Sequence, residues 1–393
     1  MLSDEILRTF VFIVRASSYC NGSPFTWCSK RRQLKLTKRS WYHLYFGMFF
    51  LHCYFFYLLT VFAVEFSSGK PKLITLPLAF GTFMMTICTL LVMYNMAFHA
   101  ETILFYWNSF DIFCRTMQER YIRKGMVIPK TGLEPYLPIL VFGTVFFPIG
   151  YILFFLENPS HKIFITSPLM GYLDKKYVFI STLLMAPACF SIFFGVTTGL
   201  ALNLLVFGIP LFVANALSKE MIPRKHPGKP YFTSHTLRKP YNLVPIYRAI
   251  TIYKILINQI ISPIILPIQN VLSYCIIICN FCLINFSRRL DIKSLLIVAG
   301  MSVSCLSAWV VALWFSGMAL KISNSRISCL AKYNWPNDNE PQKKYAKKAV
   351  KSFRPVFIKA GGFYIVRIVM TLKFINFAIW GTMKALLAYN NSA

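Results

Sequence analysis

The sequence predicts an all-α integral membrane protein in which seven helices cross the bilayer, with the N-terminus cytoplasmic and the C-terminus extracellular. Three observations carry that prediction. Hydrophobic residues make up 56% of the 393 and charged residues only 14%, against roughly 25% charged in soluble domains. Seven apolar runs are long enough to cross a hydrocarbon core about 30 Å thick, which takes about 20 helical residues. The cations between those runs are unevenly distributed, and that asymmetry orients the chain.

The runs are 41–64, 73–97, 137–156, 179–214, 261–286, 295–320 and 362–387, and the first six contain no Asp, Glu, Lys or Arg. Backbone placed in lipid must satisfy its own N–H and C=O groups, which a helix does. Counting from an inside N-terminus, the inner segments (1–40, 98–136, 217–254 and 321–359) hold 31 of the 42 Lys+Arg, and the outer loops (65–72, 157–178 and 287–294) hold 8. Cations stay on the cytoplasmic side during insertion, so the N-terminus is inside and an odd span count puts the C-terminus outside. A net charge of +29 raises the question of nucleic acid. Here the cations flank apolar runs, so the expected partner is membrane lipid and no nucleic acid is expected. The short apolar stretch 10–14 is followed by no small-residue cleavage site and does not read as a signal peptide. The expected location is the plasma membrane, as a multi-pass protein.

The chain divides into a cytoplasmic N-terminal segment (1–40), a six-helix transmembrane domain (41–320) with cytoplasmic helical extensions (98–136 and 217–258), a cytoplasmic basic loop (321–361), and a last helix with a short outer tail (362–393). After the second span, Ile103, Leu104, Trp107, Phe110, Cys114 and Met117 form an apolar stripe at helical spacing, with Glu101, Asn108, Asp111, Arg115 and Gln118 opposite. The fourth span, 36 uncharged residues, would be about 54 Å long as one helix. It must project into water, tilt, or break at Pro187 or Pro210. Residues 221–240 read as a Pro- and cation-rich loop. They lead into a second amphipathic segment with Ile246, Ile250, Tyr253 and Ile257 on one face, to lie on the membrane surface or to pack in a cytoplasmic bundle. Residues 333–350, with Lys343, Lys344, Lys347 and Lys348, read as a mobile basic loop.

The seventh run is the polar one: Arg367, Thr371, Lys373, Asn376, Thr382 and Lys384 lie within it. Lys373, eleven residues in, either faces a polar path or marks the interface. Cys275, Cys279 and Cys282 share one face of the fifth span and read as small packing residues. No His, Asp or Glu in that span completes a metal shell, and neither a metal nor a cofactor is expected. Paired-His, phosphate-loop and serine-elbow motifs are absent from the sequence, so the chain does not read as an enzyme. Glu119-Arg120-Tyr121 looks like a G-protein-coupled-receptor signature. It falls before the third span, and the charge bias inverts that family's orientation. A secondary transporter, using Lys373 and the fourth span, is the alternative from a different class.

Two stretches carry a resemblance. Ile246-Tyr247-Arg248-Ala249-Ile250 through Asn258 is similar to the cytoplasmic helix leading into the fifth span of the arthropod chemoreceptor superfamily, the odorant and gustatory receptors. Phe357-Ile358-Lys359-Ala360-Gly361-Gly362-Phe363-Tyr364, followed by Thr371, resembles the approach to that superfamily's last helix. Leu372, Ala378 and Ile379 stand where the gustatory pattern has Tyr, Gln and Phe. The resemblance implies a chemosensory receptor acting as a non-selective cation channel, a homotetramer or a heterotetramer with a related subunit, opened by a small, largely apolar ligand. It implies a pore lined by the last helix, for which Ile375, Asn376, Ile379, Thr382 and Met383 are the candidates, with Ile379 and Thr382 nearest the axis and Lys384 turned away. It also implies a ligand site in the outer halves of the other spans. Apolar, aromatic clefts are the usual small-molecule sites, and Phe80, Phe83, Phe147, Tyr151, Phe155, Met185, Met301 and Trp309 are the candidates.

Overall fold

A computed structural model describes residues 2–67, 75–123, 131–170, 175–221, 231–287, 292–332 and 340–392. The chain opens with α1 (Asp4–Tyr19) and an antiparallel hairpin of β1 (Phe25–Cys28) and β2 (Gln33–Leu36). The long helices follow: α2 (Lys38–Ser67), α3 (Thr75–Phe98), α4 (Ala100–Tyr121), α5 (Leu137–Glu157), the single turn α6 (Ser167–Met170), α7 (Lys175–Met221), α8 (Pro240–Phe286) and α9 (Ile292–Ala331). The chain closes with α10 (Glu340–Lys351), a two-residue hairpin of β3 (Lys359–Ala360) and β4 (Tyr364–Ile365), and α11 (Ile368–Ser392).

Among the described residues, six helices are long and apolar enough to cross a membrane: those covering Lys38–Glu65, Leu78–Phe98, Glu134–Glu157, Tyr177–Met221, Pro240–Phe286 and Val298–Ala331. The 25-residue α11 is long enough, at about 37 Å, but Lys373, Asn376 and Lys384 make it less apolar than the six. The excess length of the fourth span is met without a break. Helix α7 runs unbroken through Pro187 and Pro210 for 47 residues, about 70 Å, so neither proline ends it.

Two packed regions stack along the bundle. At the end carrying α1, α4 and α10, Phe10 of α1 lies face to face with Trp107 of α4, ring centroids 3.7 Å apart. Ile6, Ile13, Tyr106 and Phe110 are buried in the same core. The apolar stripe of α4 is thus a packing face, as its spacing predicts. Its polar face is not left to solvent. Asn108 accepts a hydrogen bond from the Leu34 N–H (2.9 Å) and donates to the Leu34 carbonyl (3.1 Å), holding the β hairpin. Asp111 is buried between Arg115 (3.0 Å) and Arg32 (3.9 Å). Ile246, Ile250 and Ile257 are buried in the same core, and Tyr253 packs edge-on to Tyr106 and Phe110. That face of α8 therefore belongs to a helical bundle and not to the membrane surface.

The expected basic loop is corrected in part. Residues 333–339 lie outside those described, but 340–351 form α10, whose Ala346, Ala349 and Val350 are buried. Alanines at three-residue spacing supply an apolar stripe too small to register beside four lysines. The run 362–387 also begins differently: Gly362 to Arg367 belong to the β3–β4 hairpin, where Gly361 adopts a left-handed φ of 58°. Helix α11 starts at Ile368, so Lys373 sits in its second turn and is exposed.

Candidate functional site

At the other end of the bundle, α2, α3, α5, α7 and α9 converge on an aromatic cluster. Phe62, Leu78, Ala79, Phe155, Ile163 and Phe164 are buried there. Six of the predicted ligand residues gather at it: Phe155 within it, and Phe80, Phe83, Tyr151, Met185 and Met301 packed around it. Phe83 lies between two rings of α2, 5.0 Å from Phe55 and 5.5 Å from Phe62. The other two fall elsewhere. Phe147 is 47% exposed on the outside of the bundle. Trp309 belongs to a separate core with Phe374 of α11, centroids 6.4 Å apart.

The cluster is capped by a segment that the sequence marked only as an outer loop. Residues 158–166 turn inward after α5, and Ile163 and Phe164 are 1% and 3% exposed. Three contacts hold this plug down. Tyr54 donates to the Ile163 carbonyl (2.8 Å), Tyr57 donates to the Lys162 carbonyl (2.8 Å), and Lys162 pairs with Glu65. Tyr54, Ile163 and Phe164 were missed by reading spans alone. The available signal was Ile163-Phe164-Ile165, an apolar triplet inside a short polar loop.

His161 is a titratable group within the plug. Its Nδ1 accepts the Ile163 N–H (3.3 Å), and its ring meets Phe154 and Phe164 edge-on. Burial pushes its pKa below the ordinary 6.5, because desolvation penalises the imidazolium. Protonation would also remove the acceptor that Ile163 uses. The unfolded chain takes up the proton first, so this contribution to stability is complete above pH 6.5 and is lost as pH falls toward the depressed value. The melting temperature of the purified protein is expected to drop as pH falls below about 6.5. His161→Gln should flatten that drop, and an unchanged slope in the variant would assign the acid sensitivity to another group.

The last helix presents two faces. Thr371, Phe374, Ala378 and Thr382 are buried against the rest of the chain. Gly381 abuts Ile277 of α8. Leu372, Ile379, Trp380, Met383 and Leu387 are exposed apolar residues on the far side, with Asn376 exposed beside them. Of the predicted pore residues, Asn376, Ile379 and Met383 therefore share the open face and Ile375 is half-buried. Thr382 turns inward, its hydroxyl donating to the Ala378 carbonyl at 2.8 Å. The reason is steric. Small residues at 378 and 382, with Gly381 between them, let α11 approach α8 closely.

The segment before α11 is stitched along one stripe of α8. Tyr247 donates to the Arg354 carbonyl (3.0 Å) and Lys254 to the Pro355 carbonyl (3.3 Å). Asn258 donates to the Phe357 carbonyl (2.8 Å) and accepts the Lys359 N–H (2.6 Å). Ser262 bonds Gly361 twice, and Tyr364 bonds Gln269. Positions 247, 254, 258, 262 and 269 are spaced by fours and sevens, which puts them on one helix face. Lys254 also lies 4.0 Å over the Phe357 ring.

These features define a class: a polytopic α-helical membrane protein with a capped aromatic cluster at one end and a final helix strapped to a long helix beside it. No family model and no curated protein matches the sequence. Solved structures match the fold. The chain is similar to the insect olfactory receptor OR5 from Machilis hrabei in complex with eugenol, with a TM-score of 0.58 and 11% identity over 98% of this chain and 100% of that one. It is also similar to OR5 from Machilis hrabei alone, with a TM-score of 0.50 and 9% identity over 96% and 97% of the two chains. At these identities the shared property is the fold, over essentially the whole length of both chains.

Proposed function

We propose that this chain is a chemosensory receptor that works as a ligand-gated, non-selective cation channel of the plasma membrane. The observation that carries this reading is the end-to-end fold likeness to insect olfactory receptor OR5, one structure of which holds the small molecule eugenol. In this reading α11 is the seventh span, the N-terminus is cytoplasmic and the C-terminus extracellular, in keeping with the cation bias of the loops. Four copies surround a pore, alone or with a related subunit. A small, largely apolar ligand occupies the cluster around Tyr151 and Phe155, and favours the open arrangement by binding it more tightly than the closed one.

The exposed face of α11 supports this assignment. Asn376 stands exposed on that face beside Leu372, Ile379 and Met383, and an amide turned to lipid is costly, so the face suits a partner subunit or a water-filled path. In a tetramer the apolar side chains supply a constriction that closes by dewetting. Asn376 and Met383 lie within about 60° of Ile379 around the helix, whereas Lys384 lies about 140° away. The pore wall is accordingly drawn through Asn376, Ile379 and Met383, without Thr382, and Lys384 points out of it.

Whole-cell recording from cells expressing the chain, with and without a related subunit, tests the function. A ligand-evoked cation current that persists when G-protein signalling is blocked is the expected result. A response that disappears under that block would overturn both the function and the orientation. In single channels, Lys384→Ala is expected to leave conductance and selectivity unchanged. Ile379→Ser is expected to raise the unliganded open probability several-fold, because a hydroxyl wets the constriction.

A further inference from the structure

The polarity of the ligand site follows from the direction of its hydrogen bonds. Tyr54 Oη lies 2.8 Å from the Ile163 carbonyl and 2.9 Å from Tyr151 Oη. A carbonyl can only accept, so the single proton of Tyr54 is committed to Ile163. The bond between the two phenols must then run from Tyr151 to Tyr54. Tyr151 has thereby spent its one donor, and what it has left is the lone-pair capacity of its oxygen. Two hydroxyls on the flanking helices are spent in the same way: Thr82 donates to the Leu78 carbonyl (2.8 Å) and Thr182 to the Val178 carbonyl (2.7 Å), each four residues back on its own helix, whereas Thr166 Oγ1 at the end of the plug is buried without a partner among the described residues. Tyr151 is the hydroxyl-bearing member of a cluster otherwise built from Phe83, Phe155, Ile163, Phe164, Met185 and Met301, with a thiol at Cys189. Its ring is fixed between Phe164 (5.3 Å) and Phe193 (3.6 Å).

From this we infer that the site selects apolar molecules carrying a hydroxyl, alcohols or phenols, which donate to Tyr151 Oη, over ethers, esters and ketones of the same shape. The inference rests on reading this cluster as the ligand site. A ligand oxygen that can only accept would face an oxygen whose one proton is already committed, and would lose its water without replacement. A site built with fixed polarity rejects the mismatched analogue for that reason. Ile163 belongs to the plug, so the same relay that sets the polarity also latches the cap. Tyr151 is the specificity-determining residue and Tyr54 is the positioning residue that fixes its direction.

The test uses the full-length protein in lipid nanodiscs and two probes of matched shape, 4-propylphenol and 4-propylanisole. Binding is read by titration calorimetry and by ligand-induced thermal stabilisation. Wild type is expected to bind the phenol about five- to tenfold more tightly than the ether, the worth of one neutral hydrogen bond. Tyr151→Phe should abolish the preference without weakening the ether, which also corrects for partitioning of the probes into lipid. Tyr54→Phe frees the Tyr151 proton to donate, so the preference should shrink to unity or reverse in favour of the ether. Equal affinities in wild type, or a preference untouched by Tyr151→Phe, would overturn the polarity rule and leave the cluster standing as a ligand site. Failure of both probes to bind a protein that melts cooperatively would overturn the site itself. The wild-type comparison decides the matter even where a variant fails to fold.

Discussion

Gly195→Ala is expected to destabilise the protein by about 3 kcal/mol, more than a substitution at any lipid-facing position. Gly195 lies on α7 where the chain leaving α1 crosses it, and an added methyl would overlap the Cys20 carbonyl. Gly22 meets the Gly195 carbonyl in return, and a methyl on Gly199 would stand 2.7 Å from the Gly22 carbonyl. Backbone cannot swing aside as the tip of a flexible side chain can. The crossing would have to widen, pulling α1 and the Phe10–Trp107 stack away from α4. Three glycines thus form a small-residue contact of the kind that lets membrane helices approach closely. Gly208→Ala supplies the control. It lies on the same helix with nothing within 4 Å of its added methyl, and helix propensity alone would stabilise it by about 0.5–1 kcal/mol. Thermal unfolding in one detergent should separate the two by several degrees, in opposite directions. Equal melting temperatures would mean that the α1–α7 crossing contributes nothing to the fold.

That crossing also marks a limit of what the sequence showed. Length, apolarity and cation bias are one-dimensional signals, and they located the helices that became α2, α3, α5, α7, α8 and α9. They could not show what α1 and the β1–β2 hairpin do, because those residues are held by contacts distant in the chain. Asn108 reads as one more polar residue on an amphipathic helix until Leu34 is beside it. Asp111 reads as solvent-facing until Arg32 covers it. The spacing Gly195-x-x-x-Gly199 is present in the sequence but was passed over, because it names no partner.

The ligand cluster divides along the same line. Phe80, Phe83, Tyr151, Phe155, Met185 and Met301 converge because outer-half aromatics and methionines on adjacent helices share one interior. Phe147 belongs to the same stretch of α5 as Tyr151 but faces outward: the buried face of α5 runs through Thr144, Pro148 and Phe155, about 40° to one side of Tyr151, and Phe147 lies about 40° to the other side. Trp309 is about two turns along α9 from Met301 and so meets α11 in place of the plug. Tyr54 was hidden among the many aromatics of the first span. Only its partner, a loop carbonyl, distinguishes it from a packing residue.

Asn258→Ala is expected to uncouple ligand binding from channel opening, the second large effect. Of the stitches between α8 and the approach to α11, Asn258 makes two, one to the Phe357 carbonyl and one from the Lys359 N–H. Both lie on the segment 353–366, which has little regular structure of its own and takes its position from α8. Helix α8 in turn packs on α3 and α9, the helices that carry Phe80, Phe83 and Met301. A rearrangement of the cluster can therefore reach α11 by two routes, side-chain packing and the strap. The strap is the directional one, since hydrogen bonds fix register whereas apolar faces slide. Coupling free energies between sites are typically about 1–3 kcal/mol, and the two bonds of Asn258 are of that size together. The variant should bind ligand as wild type does, with ligand-evoked open probability reduced on the order of tenfold. Ser262→Ala, which leaves the Gly361 N–H bonded to the Ser262 carbonyl at 2.8 Å, should show a smaller loss. Paired binding and current measurements on both variants check this. A maximal current unchanged in Asn258→Ala would mean that opening is transmitted through the buried face of α11, Thr371, Phe374, Ala378 and Thr382, and that the strap only anchors the helix.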